Sequence, residues 1–400
     1  MSEQDIHPNK FIELRSIYKY HIDSYNALYQ LKTDKEEELK QIYKKIKTEL
    51  IDSKKYMPKR IMEDILNIIP YNNRYSKSYL ILAKFISDEY HVEEAYNAKR
   101  TSIFLFYKQY GIKLAKDDDF VKGDLKNLEI HTDDTIYKAI MYNDLKTFII
   151  FTEGHGFDKD QKLESSLYPD SYHEYSLLEL CCYHGAVDCF KLLRTKFNSE
   201  ITKECLEFSF LGRNPEIMSE CLKYQTPDEL CMTYAIVSHN IDFVTFLMNE
   251  YDIEINLGVC ADYNNLESFL VYFDQTNDIW HINKCFIFSL MFGISSLCEY
   301  FLSLGANVNI KFTKENIGLN SLGRFYKFGQ TALHIATAYN SKEIVELLIS
   351  YGANIDEKDN GGQTTLHIAV GYNCKEIAEL LILHGANIGC PKVRLAQRSI

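Results

Sequence analysis

Two stretches near the end of the chain decide its fold: Gly329-Gln-Thr-Ala-Leu-His-Ile-Ala336 and, 33 residues later, Gly362-Gln-Thr-Thr-Leu-His-Ile-Ala369. Similar text follows each of them, Lys342-Glu-Ile-Val-Glu-Leu-Leu-Ile349 and Lys375-Glu-Ile-Ala-Glu-Leu-Leu-Ile382. A Gly-Ala-Asn triplet then closes each copy, at Gly352 and at Gly385. A repeat of this length predicts a small helical element that buries its apolar face by stacking on copies of itself.

Each copy predicts two short helices joined by a tight turn. Its threonine occupies the position of an N-cap, whose oxygen satisfies free amide groups at the start of the first helix. Asn340 and Asn373 follow this helix, where the chain needs a left-handed residue and asparagine tolerates that conformation. A second apolar helix comes next, and a glycine in the C′ position ends it. The residues that define the pattern are Thr331, Leu333, His334, Ala336 and Gly352 in one copy and Thr364, Leu366, His367, Ala369 and Gly385 in the other.

These motifs resemble the ankyrin repeat, which has a period of about 33 residues and the signature Thr-Pro-Leu-His-x-Ala. Ala332 and Thr365 stand where that signature has proline. The preset first helical turn is therefore lost, which should weaken the copies without changing their shape. The resemblance implies that His334 and His367 brace the turn by hydrogen bonding. A catalytic histidine would need a nucleophile or a carboxylate nearby, and the motif provides neither.

Weaker copies extend upstream when the residue between the two helices is used as an anchor. The anchors are Asn143, Gly185, Arg213, His239, Asn264, Gly293, Asn340 and Asn373, at spacings of 42, 28, 26, 25, 29, 47 and 33 residues. Two antiparallel helices fit into the shortest of these steps, but a long β-hairpin does not. We therefore expect helix pairs with shortened connections over about 177–280. The predicted fold class is all-α, an α-solenoid of stacked ankyrin-like helix pairs preceded by an N-terminal helical bundle or cap.

The shortened pairs resemble the divergent domain of unknown function that accompanies ankyrin repeats in large protein families of parasitic protists. Two N-terminal segments share this resemblance, Ile69-Pro-Tyr-Asn-Asn-Arg74 and Tyr107-Lys-Gln-Tyr-Gly-Ile-Lys113. The resemblance thus covers most of the chain, and it implies no biochemical activity.

The region 1–130 is predicted to be helical. Thr33-x-x-Glu36 has the form of a capping box that opens a charged helix, and Pro58 suits the first turn of the next helix. A repeat stack needs caps at its ends, so the simplest role of this region is to cover the end near Asn143. Separate binding is the alternative that the sequence leaves open. The other predicted boundaries are 131–280 for the divergent repeats, 281–390 for regular repeats with an insert at about 310–328, and 391–400 for a tail.

Charge, cysteine usage and hydropathy exclude several classes of protein. The chain has 44 basic and 56 acidic residues and a net charge of −12, which opposes nucleic-acid binding. Its 11 cysteines form no Cys-x-x-Cys pair and indicate reduced thiols in a cytoplasmic or nuclear protein. The most apolar stretch, Cys285–Cys298, is shorter than the about 20 residues that span a bilayer.

Catalytic motifs are missing from the sequence, which has no phosphate loop, zinc-ligand spacing or nucleophile elbow. Cys181-Cys182 with His184 aligns with the end of a first helix, where small apolar residues pack. The run Asp117-Asp118-Asp119 indicates a solvated loop rather than a metal site, because no further ligands have a matching spacing. We therefore expect a monomer that is not an enzyme and uses no cofactor, metal or small-molecule substrate.

The expected function is non-catalytic protein binding through the concave face and hairpin loops of the repeats. The insert between Asn307 and Thr331 combines basic and aromatic side chains, which are favoured interface anchors, although a tolerated loop is the alternative. The candidate partner-binding residues are Asn309, Arg324, Tyr326, Phe328, Tyr339, Asp356, Lys358 and Asn360. A second hypothesis is a regulatory adaptor that recruits an enzyme of ubiquitin or kinase signalling through its N-terminal helices.

Overall fold

The structure, a computed structural model, describes residues 10–53, 56–115, 125–129, 134–276, 278–313 and 329–388. These residues form two compact units. The N-terminal unit is Tyr20–Glu254, and the C-terminal unit combines residues before Tyr20 with those from Ile255 onward.

The first third of the chain is helical, as expected. Its helices are α1 (Lys10–Ile17), α2 (Lys19–Tyr29), α3 (Glu36–Ile46), α4 (Pro58–Ile68), α5 (Ser76–Tyr90) and α6 (Arg100–Tyr110). A π-helical turn, Lys47–Ile51, extends α3, and two 3₁₀ turns, Ile69–Tyr71 and Asn73–Tyr75, lie between α4 and α5.

One detail of this region differs from the sequence prediction. The capping box at Thr33 is wrong, because Lys35 is the N-cap of α3 and its side chain makes no capping hydrogen bond. Thr33 Oγ1 instead accepts a hydrogen bond from the Lys35 amide at 3.1 Å. Such a local side-chain-to-backbone bond competes with capping, and it closes a turn before the helix begins.

Stacked helix pairs dominate the rest of the described residues, so the all-α repeat fold is confirmed. Those of the N-terminal unit are α7 (Ile136–Met141) with α8 (Leu145–Glu153), α9 (Leu177–His184) with α10 (Val187–Lys196), α11 (Lys203–Gly212) with α12 (Pro215–Cys221), and α13 (Glu229–Val237) with α14 (Ile241–Tyr251). Those of the C-terminal unit are α15 (Leu257–Asp262) with α16 (Leu266–Asp274), α17 (Ile279–Phe292) with α18 (Ser295–Ser303), α19 (Ala332–Ala338) with α20 (Lys342–Ser350), and α21 (Thr365–Gly371) with α22 (Lys375–Leu383).

The turn inside every pair contains the predicted left-handed residue. All eight anchors have positive φ, from 52° at Asn340 to 71° at Gly293. The anchors with bulky side chains follow the same rule, since φ is 56° at Arg213 and 53° at His239. The repeat register expected from the sequence is therefore confirmed through all eight pairs.

The connections between pairs differ in length, as their spacings predict. The longest step of the N-terminal unit holds a small antiparallel hairpin of β1 (Lys162–Glu164) and β2 (Glu174–Ser176), in which Leu163 lies opposite Tyr175. From α9 to α16, the described residues include no strand. Pairs of helices with shortened connections are therefore what this stretch contains.

The end of α2 and the 3₁₀ turns between α4 and α5 lie along one edge of the N-terminal unit rather than over one end. This turn edge is formed by the left-handed turns of α7 to α14. Arg74 donates to the His184 carbonyl at 3.3 Å and lies 5.6 Å from the ring centre of Tyr142. Asn73 and Pro70 bond to Tyr183 Oη, which accepts from the Asn73 amide at 3.2 Å and donates to the Pro70 carbonyl at 2.8 Å.

Helix α2 continues this contact along the same edge. Arg213 Nη2 donates to the carbonyl of Tyr29 at 2.5 Å, and Gln30 Nε2 donates to the carbonyl of His239 at 2.6 Å. The rings of Tyr29 and His239 stack with their centres 4.1 Å apart. Coverage of only the end near Asn143 is therefore wrong, because the contacts run past four successive turns.

Two properties of the core concern its cysteines and its apolar helices. The ten described cysteines are all buried and free, as Cys181 and Cys182 illustrate. Burial raises the pKa of both of these thiols well above its ordinary value. Within the described part of the chain, no helix is both long and apolar enough to cross a membrane.

Candidate partner-binding surface

A ladder of hydrogen bonds joins neighbouring repeats on one side of the C-terminal unit. The amides of Asn307, Asn354 and Asn387, each from a Gly-Ala-Asn triplet, donate to side-chain oxygens that lie 24, 45 and 31 positions earlier in the chain. The acceptors are Oδ1 of Asn283 at 2.8 Å, of Asn309 at 2.8 Å and of Asp356 at 2.9 Å. We call this side, which lies at the start of each first helix, the finger edge.

Asn309 and Asp356 were predicted to bind a partner, and both lie on the finger edge. Their side chains are exposed, but an oxygen of each is already used in the ladder. Because removal of either oxygen breaks a hydrogen bond between neighbouring repeats, a substitution would weaken the stack as well as change any binding surface.

Lys358 and Asn360 also lie on the finger edge and are exposed. The Asn360 side chain packs against Gly329, since a Cβ there would lie 2.1 Å from Asn360 Oδ1. Tyr339 is half-buried and lies at the opposite end of its helix. The candidates Arg324, Tyr326 and Phe328 lie outside the described residues, as does most of the predicted insert.

The described residues at the two ends of the insert are held in the fold by backbone hydrogen bonds. Lys311 and Thr331 form an antiparallel bridge, and the Phe312 amide donates to the Gln330 carbonyl at 2.7 Å. Phe312 is 2% exposed and lies 6.3 Å from Phe288 between ring centres. Lys311 pairs with Glu357 at 2.6 Å. This aromatic and this cation therefore stabilise the repeat stack.

The signature histidines have the structural role that the sequence predicted. His334 Nδ1 accepts from the amide of Thr331 at 3.2 Å, which assigns the ring proton to Nε2. Nε2 in turn lies 3.1 Å from the carbonyl of Gln363, to which it donates. His367 repeats the contact with Thr364 at the same distance. Burial lowers the pKa of His334 below its ordinary value, which favours this neutral form.

Sequence reasoning missed an exposed aromatic position among the described residues of the finger edge. Helix α17 has 14 residues, against 7 for α19 and α21, and its Asn283 takes part in the ladder as Asn309 does. The first turn of α17 therefore stands where the next repeats have a hairpin loop. Ile279 and Trp280 lie in this turn and are 54% and 47% exposed.

Local chemistry holds this pair of residues in place. Asp278 caps α17 by accepting from the His281 amide at 3.0 Å, and the hydrogen bonds from His281 lower the pKa of Asp278. Lys284 Nζ lies 5.3 Å from the centre of the Trp280 ring, a cation–π distance. The signal in the sequence was the only tryptophan of the chain, two positions after the N-cap residue Asp278.

Metal binding depends on clustered ligands, and thiol chemistry depends on an activated cysteine. Among the described residues, no group of three His, Cys, Asp or Glu side chains could hold a metal ion. Cys181 and Cys182 are buried thiols with raised pKa values, the opposite of an activated nucleophile.

Comparison with known proteins gives two matches, and both cover helix pairs. The model of the ankyrin repeats, in three copies, matches residues 286–392. A domain of unknown function, DUF3447, matches residues 197–272. A search of curated proteins finds no match to the chain. The chain therefore contains ankyrin repeats and a DUF3447 domain, and no enzyme family is among its matches.

Proposed function

We propose that this protein is a non-catalytic scaffold that binds a partner protein through the finger edge of its ankyrin repeats. The observation that carries the proposal is the exposed pair of Ile279 and Trp280 on a helix turn fixed by Asp278. Tryptophan is enriched among the residues that dominate binding energy, and a large apolar pair held rigidly at the surface loses little entropy on binding.

The rest of the finger edge supplies polar positions around this apolar pair. Lys358 and Asn360 are exposed in the last hairpin loop, and Leu304 is 38% exposed beside the Asn307 triplet. An apolar centre with a polar rim is the usual anatomy of a protein interface. The earlier candidates Asn309 and Asp356 remain part of this surface, with the added structural role described above.

Substitution of Trp280 tests the proposal. Trp280→Ala should weaken capture of the partner by about 30-fold, the effect of losing about 2 kcal/mol at an interface hot spot, while the melting temperature stays within about 2 °C of wild type. The assay is affinity capture from the native cell with quantitative mass spectrometry, followed by titration of the captured protein.

The matched control is Tyr372→Ala, which removes a 54% exposed aromatic at the far end of a first helix. This variant should keep the same partner. If Trp280→Ala binds as well as wild type, or if both variants lose the partner equally, the finger edge is not the binding surface.

The contacts of the N-terminal helices favour the scaffold over the adaptor. Asn73, Tyr29 and Gln30 bond to the turn edge, so deletion of residues 1–113 should expose buried groups such as Tyr183. A recruiting module would keep its own fold when separated from the repeats. The kinship with repeat families of parasitic protists is likewise a proposal, which rests on the resemblance of the sequence motifs alone.

A further inference from the structure

A carboxylate that has no partner among the described residues lies on α11 of the N-terminal unit, at a position where most of the side chain is buried. Glu207 is 6% exposed, and it takes part in no hydrogen bond or ion pair with the described residues. Its neighbour Glu179 shows the usual arrangement, since it is 5% exposed and accepts from the Ser176 amide at 2.8 Å and from Thr202 Oγ1 at 2.7 Å. The oxygens of Glu207 are not among the buried polar atoms that lack a partner, so they are open to solvent while the rest of the side chain is packed. A cationic side chain could therefore reach this carboxylate and pair with it.

The charged groups around Glu207 do not neutralise the negative charge of its ionised carboxylate. Burial, and then the carboxylates of Asp228 and Glu204, raise the pKa of Glu207 to about 7. Lys203 is close enough to oppose this effect, but it is paired with Asp228. The site therefore contains an excess of negative charge and a carboxylate whose ionised form lacks a cation.

Aromatic rings continue the site from β2 through α11 to α13. Ring centres are 5.4 Å apart between Tyr175 and Phe208 and 5.5 Å apart between Phe208 and Tyr234. The Tyr234 hydroxyl makes no hydrogen bond with the described residues, and burial, followed by neighbours that include Tyr71 and Glu207, raises its pKa. The flanking residues include exposed acids and two exposed apolar side chains, Tyr172 at 74% and Leu230 at 41%.

We propose that Glu207 and Tyr234 receive a lysine or arginine side chain from a basic segment of a protein partner. An ammonium or guanidinium group would supply the charge-assisted hydrogen bond that Glu207 lacks, and tyrosine faces attract such cations. The acidic flank complements further basic residues, and Tyr172 with Leu230 offers apolar contact to the chain that carries them. This surface differs in position and in chemistry from the finger edge.

The test uses the intact protein and fluorescein-labelled hexalysine, whose binding is followed by fluorescence anisotropy at about 0.15 M salt. Wild type should bind the peptide saturably at pH 8, and Glu207→Gln should weaken binding by at least about ten-fold, the loss expected for one charged hydrogen bond. Glutamine matches glutamate in shape, and a thermal melt no lower than that of wild type checks that the variant folds.

Two control variants separate this site from general attraction and from the finger edge. Glu250→Gln removes the same charge from an exposed position on α14 and should bind hexalysine as wild type does. Trp280→Ala should also bind it normally, so a failure of the scaffold proposal would be seen separately.

The pH profile gives a second readout. Below pH 7 the Glu207 carboxyl takes up a proton while hexalysine stays charged, so wild-type affinity should fall between pH 8 and pH 6. Glu207→Gln should show a flatter profile. The difference between the two pH profiles isolates Glu207, because the other titratable and charged groups that face this site are present in both proteins. These groups are Lys203, Glu204, Asp228, Glu179, His173, Asp170, Tyr71, Tyr175 and Tyr234.

Three outcomes would overturn the proposal. The first is the absence of saturable hexalysine binding by wild type. The second is equal weakening by Glu207→Gln and Glu250→Gln, which would indicate attraction to net charge alone. The third is a pH profile that Glu207→Gln leaves unchanged.

Discussion

Arg213 offers a test of whether the N-terminal helices are an integral part of the repeat fold. It lies in the turn between α11 and α12 with φ of 56°, a conformation that costs a non-glycine residue about 1 kcal/mol. If the turn required only backbone tolerance, Arg213→Gly would remove this cost and stabilise the protein. The change would then resemble other glycine substitutions at left-handed positions.

The contact with Tyr29 predicts the opposite sign. Arg213 Nη2 donates to the Tyr29 carbonyl at 2.5 Å, and a hydrogen bond from a charged donor contributes about 1.5–3 kcal/mol. After the relief of backbone strain is subtracted, Arg213→Gly should lower the free energy of unfolding by about 1 kcal/mol. For a unit of this size the melting temperature should fall by about 2–4 °C.

Thermal unfolding followed by circular dichroism measures this change, and hydrogen exchange locates it. The amides at the end of α2, such as that of Gln30, should exchange faster in Arg213→Gly because their helix loses an attachment to the turn edge. Asn373→Gly is the matched control, since Asn373 has φ of 57° and an exposed side chain. That variant should change the unfolding free energy by less than about 0.5 kcal/mol.

A melting temperature of Arg213→Gly above that of wild type would refute the reasoning. It would mean that the turn selects only for backbone conformation and that the bond to Tyr29 contributes nothing net. Unchanged exchange in α2 would refute it equally, because the attachment of the N-terminal helices would then not depend on this side chain.

Two further predictions concern the ankyrin repeats. Gly329→Ala should destabilise the C-terminal unit by about 2 kcal/mol or more, because its Cβ would lie 2.1 Å from Asn360 Oδ1 and 2.7 Å from the Asn360 amide nitrogen. The control is Gly352→Ala, since Gly352 has a similar positive φ but open space around the added Cβ. A thermal melt of this control measures the backbone strain alone. Burial lowers the pKa of His334, so the unfolded state binds more protons below about pH 6.5 and the stability that neutral His334 provides is lost as the pH falls from there. His334→Gln should therefore show a smaller loss of melting temperature than wild type between pH 7.5 and 5.5, and a parallel loss in both proteins would contradict the assignment.

The candidate binding residues show why a site is harder to predict than a repeat. Asn309 and Asp356 were chosen because hairpin loops are exposed, and they are exposed, but the ladder to Asn354 and Asn387 also uses them. Phe312 belonged to an insert rich in aromatics and is nevertheless a core residue beside Phe288. Whether an apolar or polar side chain faces a partner or its own fold depends on neighbours that are remote in sequence.

The chain by itself determined the repeat register, because the geometry of a tight turn depends on residues next to each other. A left-handed residue after each first helix is needed for local steric reasons, and it appeared at all eight anchors, even at Arg213 and His239. Thr331 with His334 shows the same locality, since the two residues that brace the turn are three positions apart.

Only the tertiary structure decided what lies against those turns. Arg213 meets Tyr29 across 184 positions and His239 meets Asn26 across 213, and no spacing rule connects residues so far apart. The exposure of Trp280 and the lack of a partner for Glu207 likewise depend on every part of the folded chain that lies near them. Pairing and burial are properties of the packed chain, whereas the turn that sets the repeat is a property of a few consecutive residues.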